Sequence, residues 1–187
     1  MAQETHQPTS KRGKKKIVLA IVLVLVVVGG VVGFLFYAPS NVQISIRDPP
    51  QQPYDPSITG IFVTFTSIDI HAANAGTDSG WHTLTTDATV NLFTVLNASK
   101  VLGKASLPAG KYTELRFNVS KVIVIISGGN VTYTIPSGSL KIPITGAGAQ
   151  AYGALTVNVE LDLSFKTSEI LSNPTLTLNP VATAKVT

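Results

Sequence analysis

Cysteine is absent from the 187 residues of this sequence, and charged residues make up only 13% of it. The absence of cysteine excludes disulfide bonds, thiolate metal sites and a cysteine nucleophile. A folded domain in this chain must therefore be held together by side-chain packing and hydrogen bonding.

Acidic residues are too few to balance the basic ones, which gives a formal net charge of +4. A basic excess ordinarily points to nucleic acid as a partner. Here five of the basic residues lie within residues 11–16, whereas nine basic and nine acidic residues follow residue 37. The excess belongs to one short segment, and we expect no nucleic-acid partner.

Signatures of catalysis are also missing from the sequence. It contains no G-x-S-x-G element, no metal-ligand spacing motif and no phosphate-binding glycine loop. Asp69, His71 and His82 are the best candidates for a metal site, with a solvated polar strand end as the alternative. Glu160 and Asp162 are the best candidates for a pair of catalytic acids, with a solvated face as the alternative. We expect neither an enzyme activity nor a metal or cofactor.

One long apolar run is present, over residues 17–37, and it contains no charged residue. At about 1.5 Å of rise per residue, a helix of this length measures about 31 Å, close to the bilayer hydrocarbon core of about 30 Å. Five basic residues precede the run, and the first basic residue after it is Arg47. This asymmetry predicts a transmembrane helix whose N-terminal side is cytoplasmic.

Two further interpretations of this run remain open. A cleaved signal peptide is the alternative to a retained anchor, because small residues at 38–40 suit signal peptidase, although the run is longer than a usual signal peptide core. Gly29 and Gly33 also have the spacing of a helix-dimer face, which is a weak signal alone. The sequence thus divides into a cytoplasmic tail (1–16), a transmembrane helix (17–37), a linker (38–40) and an extracellular domain (41–187).

Alternating apolar and polar residues dominate the part after residue 40 and predict β-strands. The pattern changes phase near Thr66 and Ser67 and again before Val122, which predicts bulges within long strands. The strands predicted in this way cover residues 42–46, 60–71, 81–84, 112–126, 131–135, 140–144 and 155–165. In the last of these, six apolar residues from Leu155 to Phe165 are expected to face the core.

The remaining segments give weaker signals. Residues 89–96 fit either a short strand or one helical turn. Residues 97–104 are polar and predict a connection, and the Gly/Ala-rich residues 146–153 predict a flexible loop. Residues 175–187 are expected to add one or two strands. About eight to ten short strands and no helical periodicity predict an all-β ectodomain, a single antiparallel sandwich of immunoglobulin or transthyretin type.

Three sequons occur in this domain, at Asn97, Asn118 and Asn130. Asn97 lies in a predicted loop, Asn118 on the outward parity of a strand, and Asn130 in a hairpin. We expect use of at least one of them if the host glycosylates its surface proteins.

Three motifs resemble an uncharacterised prokaryotic family, domain of unknown function 4382. They are GWHTL at 80–84, LPAGKYT at 107–113 and IPSGSLKI at 135–142, and the resemblance runs from about Val42 to Val181. It implies an exported or membrane-tethered β-domain with no known activity and no catalytic residues. Many relatives resemble lipoproteins with an N-terminal cysteine; this chain lacks one, so its tether must be the apolar run. The Thr/Val-rich composition also resembles surface proteins of thermophilic archaea.

Together these features predict a membrane-anchored surface β-domain with a structural or interaction role. Its expected partners are the lipid bilayer and other cell-envelope proteins or copies of itself. The first alternative is a filament subunit in which residues 41–47 leave their own sheet to complete a neighbour's sheet. The second, less favoured, is an enzyme or a metal-binding domain.

Overall fold

The computed structural model describes residues 11–48, 53–76 and 79–187, with the backbone alone for residues 11–14, 85 and 86. The first element, helix α1, spans Lys11–Tyr37. It ends where the sequence predicts but begins before residue 17, so residues 11–16 of the predicted tail are helical. The rest of that tail, residues 1–10, lies outside the described residues. The segment Lys15–Tyr37 is apolar enough overall and long enough to cross a membrane, and none of its most apolar window is buried in the protein.

Ten strands and a short helix follow in the described residues. The strands are β1 Ser40–Arg47, β2 Ile58–Ala72, β3 Trp81–Asn91, β4 Lys100–Leu107, β5 Gly110–Ile126, β6 Gly129–Tyr133, β7 Ser139–Pro143, β8 Ala149–Ala151, β9 Thr156–Ser164 and β10 Val181–Val186, with helix α2 at Thr167–Ser172. The protein is thus mostly β, as predicted.

The strands form two sheets. The smaller sheet has the order β10-β9-β1-β4, and the larger has β3-β2-β5 with β6, β7 and β8 following one another along the second edge of β5. The pairing of β1 with β9 is parallel, whereas the other strand pairs are antiparallel. The expectation of a wholly antiparallel domain is therefore wrong for one pair.

The alternation of apolar residues explains the core. Val42, Ile44 and Ile46 of β1 are fully buried, and so are Phe65 of β2 and Phe117 of β5, whose rings lie 5.7 Å apart. Side chains from both sheets belong to one hydrophobic cluster. The shared core makes the two sheets a single packed unit.

The predicted bulges are confirmed. The register of β2 against β5 shifts at Phe65, next to Thr66 and Ser67. Val119 and Val122 are both buried although they differ in parity, so β5 runs as one strand through its phase change. Residues 89–96 are both strand and turn, because β3 ends at Asn91 and a 3-10 turn follows over Leu92–Thr94.

Four expectations from the sequence are wrong. Residues 100–107 form an edge strand rather than a connection; its apolar residues are mostly only partly buried, so their pattern is weak. Residues 149–151 form β8 on the edge of β5, with both alanines buried. Helix α2 lies outside the apolar run, where the sequence predicted no helix, whereas the expectation of one or two strands in residues 175–187 is met by β10. Leu155 lies just before β9 and is 68% exposed, so it does not face the core.

Candidate functional site

The outer face of the larger sheet carries the densest group of functional side chains in the described residues. Cross-strand registers place Thr83, Asp69, Arg116 and Lys141 in one row across β3, β2, β5 and β7. The next row begins with Trp81 and continues with its partner His71. We call Trp81, His71, Arg116 and Lys141 the aromatic–basic patch.

Asp69 lies beneath this patch and is only 4% exposed. Its Oδ1 accepts a 2.7 Å hydrogen bond from Thr83 Oγ1, and its Oδ2 accepts 3.3 Å hydrogen bonds from Nε and Nη2 of Arg116. Ser67 Oγ donates to the same Oδ2 atom at 3.2 Å. These donors offset the cost of burying the carboxylate, and both of its oxygens are occupied by hydrogen bonds within the domain.

Trp81 is contacted by the other three residues of the aromatic–basic patch. The Arg116 guanidinium carbon lies 4.2 Å from the centre of the indole ring, and Lys141 Nζ lies 5.8 Å from it. The His71 ring packs at a tilt with its centre 4.7 Å from that of the indole, and its Nε2 lies 3.0 Å from the Gly76 carbonyl oxygen. Cation–π contacts of this kind hold the two cations over the ring.

The structure does not bring Asp69, His71 and His82 together as a metal site. His82 is the register partner of the core residue Ile70, so its side chain lies on the opposite face of the sheet from Asp69. Its ring meets Tyr112 edge-on at 5.8 Å. The alternative of a solvated strand end is also wrong for Asp69. This residue is only 4% exposed, because Arg116 of β5 covers its carboxylate.

Glu160 and Asp162 lie on the outer face of the smaller sheet, as their parity predicts. Lys185 Nζ of β10 contacts Glu160 Oε1 at 3.2 Å and Asp162 Oδ2 at 3.1 Å. Hydrogen bonds from Ser99 and Lys185 hold the pKa of Glu160 below its usual value, and the two carboxylates raise the pKa of Lys185. The side chains of Glu160 and Asp162 are only 12% and 18% exposed, so the two carboxylates are paired with Lys185 rather than freely solvated.

A buried acid that the sequence did not single out lies at the end of β1. Asp48 is inaccessible to solvent, and its Oδ2 accepts a 2.9 Å hydrogen bond from the Tyr54 hydroxyl. Burial raises the pKa of Asp48 to about 6, against the opposing effect of the Tyr54 hydrogen bond. The Tyr54 oxygen in turn accepts from the Phe165 amide at 3.3 Å, so the pair links the end of β1 to the residue that follows β9.

The three sequons differ in accessibility. Asn97 and Asn130 are exposed, in the turn before β4 and in the β5–β6 hairpin. Asn118 lies within β5, and its Nδ2 donates a 2.6 Å hydrogen bond to Ser67 Oγ. Its outward parity is confirmed, but its amide is partly buried and already engaged.

A shallow groove of about 360 Å³ lies on the same outer face of the larger sheet, away from the patch. Its walls include Phe62, Ile123 and Ile125, together with Thr64 and Lys121. These residues did not stand out in the sequence, because Ile123 and Ile125 lie in a continuous apolar run that does not show which parity faces outward. The patch was missed for a similar reason: Arg116 and Lys141 gain significance only when β5 and β7 pair beside Trp81.

Comparison with known proteins identifies the family of this chain. A protein-family model described as Domain of unknown function (DUF4382) matches residues 39–180. A search of curated proteins finds no match to the chain. The family match begins one residue before β1 and ends one residue before β10, so it covers most of both sheets. It confirms the resemblance seen in the three motifs, and the chain belongs to the family Domain of unknown function (DUF4382).

Proposed function

We propose that this protein is a membrane-anchored β-domain that lies outside the cytoplasm and has a structural or interaction role. The observation that carries this proposal is α1, an apolar helix whose most apolar window is not buried against the rest of the described protein. A helix of this composition is stable in lipid, where its backbone groups bond within the helix. The basic residues before it favour a cytoplasmic N-terminus.

The proposed domain is a β-sandwich of the immunoglobulin or transthyretin class. Two sheets that bury their inner faces in one core support this class. An isolated parallel bridge between Ile144 and Ala184 also connects the two sheets at one side. The parallel β1–β9 pair is a variation on the usual antiparallel arrangement.

The proposed role is non-enzymatic. The acids that the sequence offers as catalytic candidates are engaged in structural contacts: Asp69 with Arg116, and Glu160 and Asp162 with Lys185. A carboxylate whose oxygens are already bonded to structural donors is poorly placed to accept a proton from a substrate, which makes it a poor general base. The aromatic–basic patch instead offers an amphipathic contact surface for another envelope protein or a second copy of this chain.

The absence of cysteine allows a direct test of topology. Full-length Ser137→Cys and Ser10→Cys variants, expressed in cells, are treated with a membrane-impermeant maleimide before and after lysis. Ser137 is exposed on the turn before β7. The proposal predicts labelling of Ser137→Cys in intact cells and of Ser10→Cys only after lysis. Labelling of both only after lysis would place the domain in the cytoplasm and refute the proposal.

Formation of a filament by donation of β1 is the alternative function. β1 lies in the interior of the smaller sheet, paired with β4 on one side and β9 on the other. Its removal would break both pairings and expose Val42, Ile44 and Ile46. An edge strand is a better donor, so this position favours the anchored domain over the filament.

Glycosylation at Asn97 and Asn130 is part of the proposal for a host that modifies its surface proteins. Asn97→Gln and Asn130→Gln should each lower the mass of the native protein by one glycan. Asn118→Gln is the matched comparison, because its engaged amide makes it the least accessible sequon. A mass decrease caused only by Asn118→Gln would contradict the ranking drawn from accessibility.

A further inference from the structure

The loop between β8 and β9 lies against the C-terminal end of α1. A Cβ atom built on Gly153 would lie 3.0 Å from the backbone oxygen of Leu35 and 3.7 Å from its Cα atom. Gly153 also has φ +70°, a conformation that glycine adopts without strain. The loop backbone therefore approaches the helix backbone directly, at a residue that lies inside the apolar run.

The depth of Leu35 fixes the position of this loop relative to a bilayer. Leu35 precedes the helix end, Tyr37, by two residues, which corresponds to about 3 Å along the helix axis. The polar interface on each side of the hydrocarbon core is about 5–8 Å thick. If α1 spans the membrane, a loop in contact with Leu35 must lie within the interfacial layer.

The side chains of the loop suit that layer. Leu155 is 68% exposed and Tyr152 is 37% exposed, and Tyr37 at the end of α1 is 83% exposed. Tyrosine rings concentrate at membrane interfaces because one end is apolar and the other polar. No acidic residue occurs between Thr145 and Leu155, so no negative charge would have to be desolvated there.

We propose that residues 152–155 insert into the outer interface of the bilayer, with the Leu155 side chain at the acyl boundary and the Tyr152 ring among the headgroups. The ligand of this surface is lipid, and the proposal rests on the proposed function because it needs α1 to span the membrane. The domain would then stand on the membrane by two contacts, the helix and this loop. That arrangement orients the domain, with the α2 end directed away from the lipid.

The opposite end of the domain provides a matched control. Leu171 of α2 is 46% exposed, which makes it a second exposed leucine. It follows β9, and the nine residues of this strand extend about 30 Å at 3.3 Å per residue. A leucine at that end lies beyond reach of the interface.

Depth can be measured by spin labelling, since the chain has no native cysteine. Full-length Leu23→Cys, Leu155→Cys and Leu171→Cys variants are labelled with a nitroxide and reconstituted into vesicles of phosphatidylcholine and phosphatidylglycerol. Power saturation then compares collisions with oxygen, which enriches in lipid, and with a water-soluble nickel chelate. We expect oxygen to dominate at Leu23 and Leu155 and the nickel chelate to dominate at Leu171.

The outcomes separate the two proposals. Lipid exposure at Leu23 with water exposure at both Leu155 and Leu171 overturns loop insertion and leaves the anchor standing. Water exposure at Leu23 overturns the anchor and the insertion together. Dipolar broadening at Leu155 that disappears on dilution with unlabelled protein would show that a second copy covers this leucine, which also overturns lipid as its ligand. Because Leu155 is exposed, its replacement should leave the thermal unfolding temperature unchanged, and this is checked for each variant.

Discussion

Neighbouring residues on β9 differ sharply in what they contact. Val159 is fully buried in the core, and Glu160 faces Lys185 and Ser99 on the outer surface. This contrast comes from strand parity alone, since the two residues are adjacent in the chain. It provides a test of the core assignment that is independent of the membrane.

Val159→Asp should destabilise the domain severely. It removes about 1.5–3 kcal/mol of apolar burial and places a carboxylate in the core, which adds a further cost. Glu160→Gln should cost only about 0–1 kcal/mol, because Asp162 remains as a partner of Lys185. Thermal unfolding of both variants in detergent, followed by circular dichroism, compares them. Equal losses would contradict the strand assignment.

The buried acid Asp48 predicts a pH dependence of stability. Its pKa in the folded protein is about 6, above the ordinary 3.8, so folding takes up a proton between these values. The stability contributed by protonated Asp48 is fully present below about pH 4 and is lost as the pH rises through about 6. We expect a loss of about 2 kcal/mol across this window.

Asp48→Asn isolates this effect. The amide has nearly the same shape and no charge, so the difference in free energy of unfolding between wild type and variant should change between pH 4 and 7. The wild type should lose stability relative to the variant as the pH rises. Other acids, including Glu160 with its lowered pKa, act in the opposite direction, but they are common to both proteins. A difference that stays constant with pH would show that Asp48 is not titrating in this window.

At the scale of single elements, β8 shows how a Gly/Ala-rich segment becomes an ordered strand. Ala149 and Ala151 are fully buried, and β8 pairs with the first residues of β5. Small side chains let the segment lie close to its neighbour, and Gly148 makes the turn before it with φ +74°. Composition alone indicated flexibility because it carries no information on this close packing.

Two glycines in this segment form a matched pair for mutation. Gly146 and Gly148 both have positive φ, but a Cβ atom on Gly148 would lie 2.6 Å from the Tyr112 carbonyl oxygen, whereas one on Gly146 would meet nothing within 4 Å. Gly146→Ala should cost about 1–2 kcal/mol from backbone strain. Gly148→Ala should cost a further 1–3 kcal/mol, about the cost of overpacking. Urea unfolding measures both, and similar losses would contradict the close approach of β8 to β5.

Regular strands were the part of the fold that the sequence predicted well. The alternation of Val42, Ile44 and Ile46 and the bulges in β2 and β5 followed from local parity, which depends on neighbouring residues. Edge elements were harder to predict, because β4 buries few side chains and α2 has only six residues, fewer than two turns of helix. Their existence depends on partners that are distant in the chain.

The candidate site was predicted less well than the fold. Parity placed Asp69 on the outer face correctly, but its burial depends on Arg116, which is 47 residues away. The parallel pairing of β1 with β9 likewise arises from tertiary contacts. Contacts between residues this far apart produce no periodic pattern in a single sequence. These contacts determine which polar side chains come together as a site.

At the scale of the whole molecule, the protein consists of an exposed apolar helix and two sheets that share one core. Helix α1 ends at Tyr37 and β1 begins at Ser40, so the connection is too short to act as a long flexible tether. Together with the contact of Gly153 with Leu35, this short connection favours a fixed orientation of the domain above the membrane. The account depends on whether α1 remains part of the mature protein.

Intact mass spectrometry of the native protein, extracted from its own membranes, tests this central claim most directly. The account predicts that the protein is found in the membrane fraction with α1 retained, at a mass near the 19.7 kDa of the full chain plus any glycan. Enzymatic or chemical deglycosylation separates the two contributions. A soluble mature protein that begins near Asn41 would contradict it, since α1 would then have served as a cleaved signal sequence.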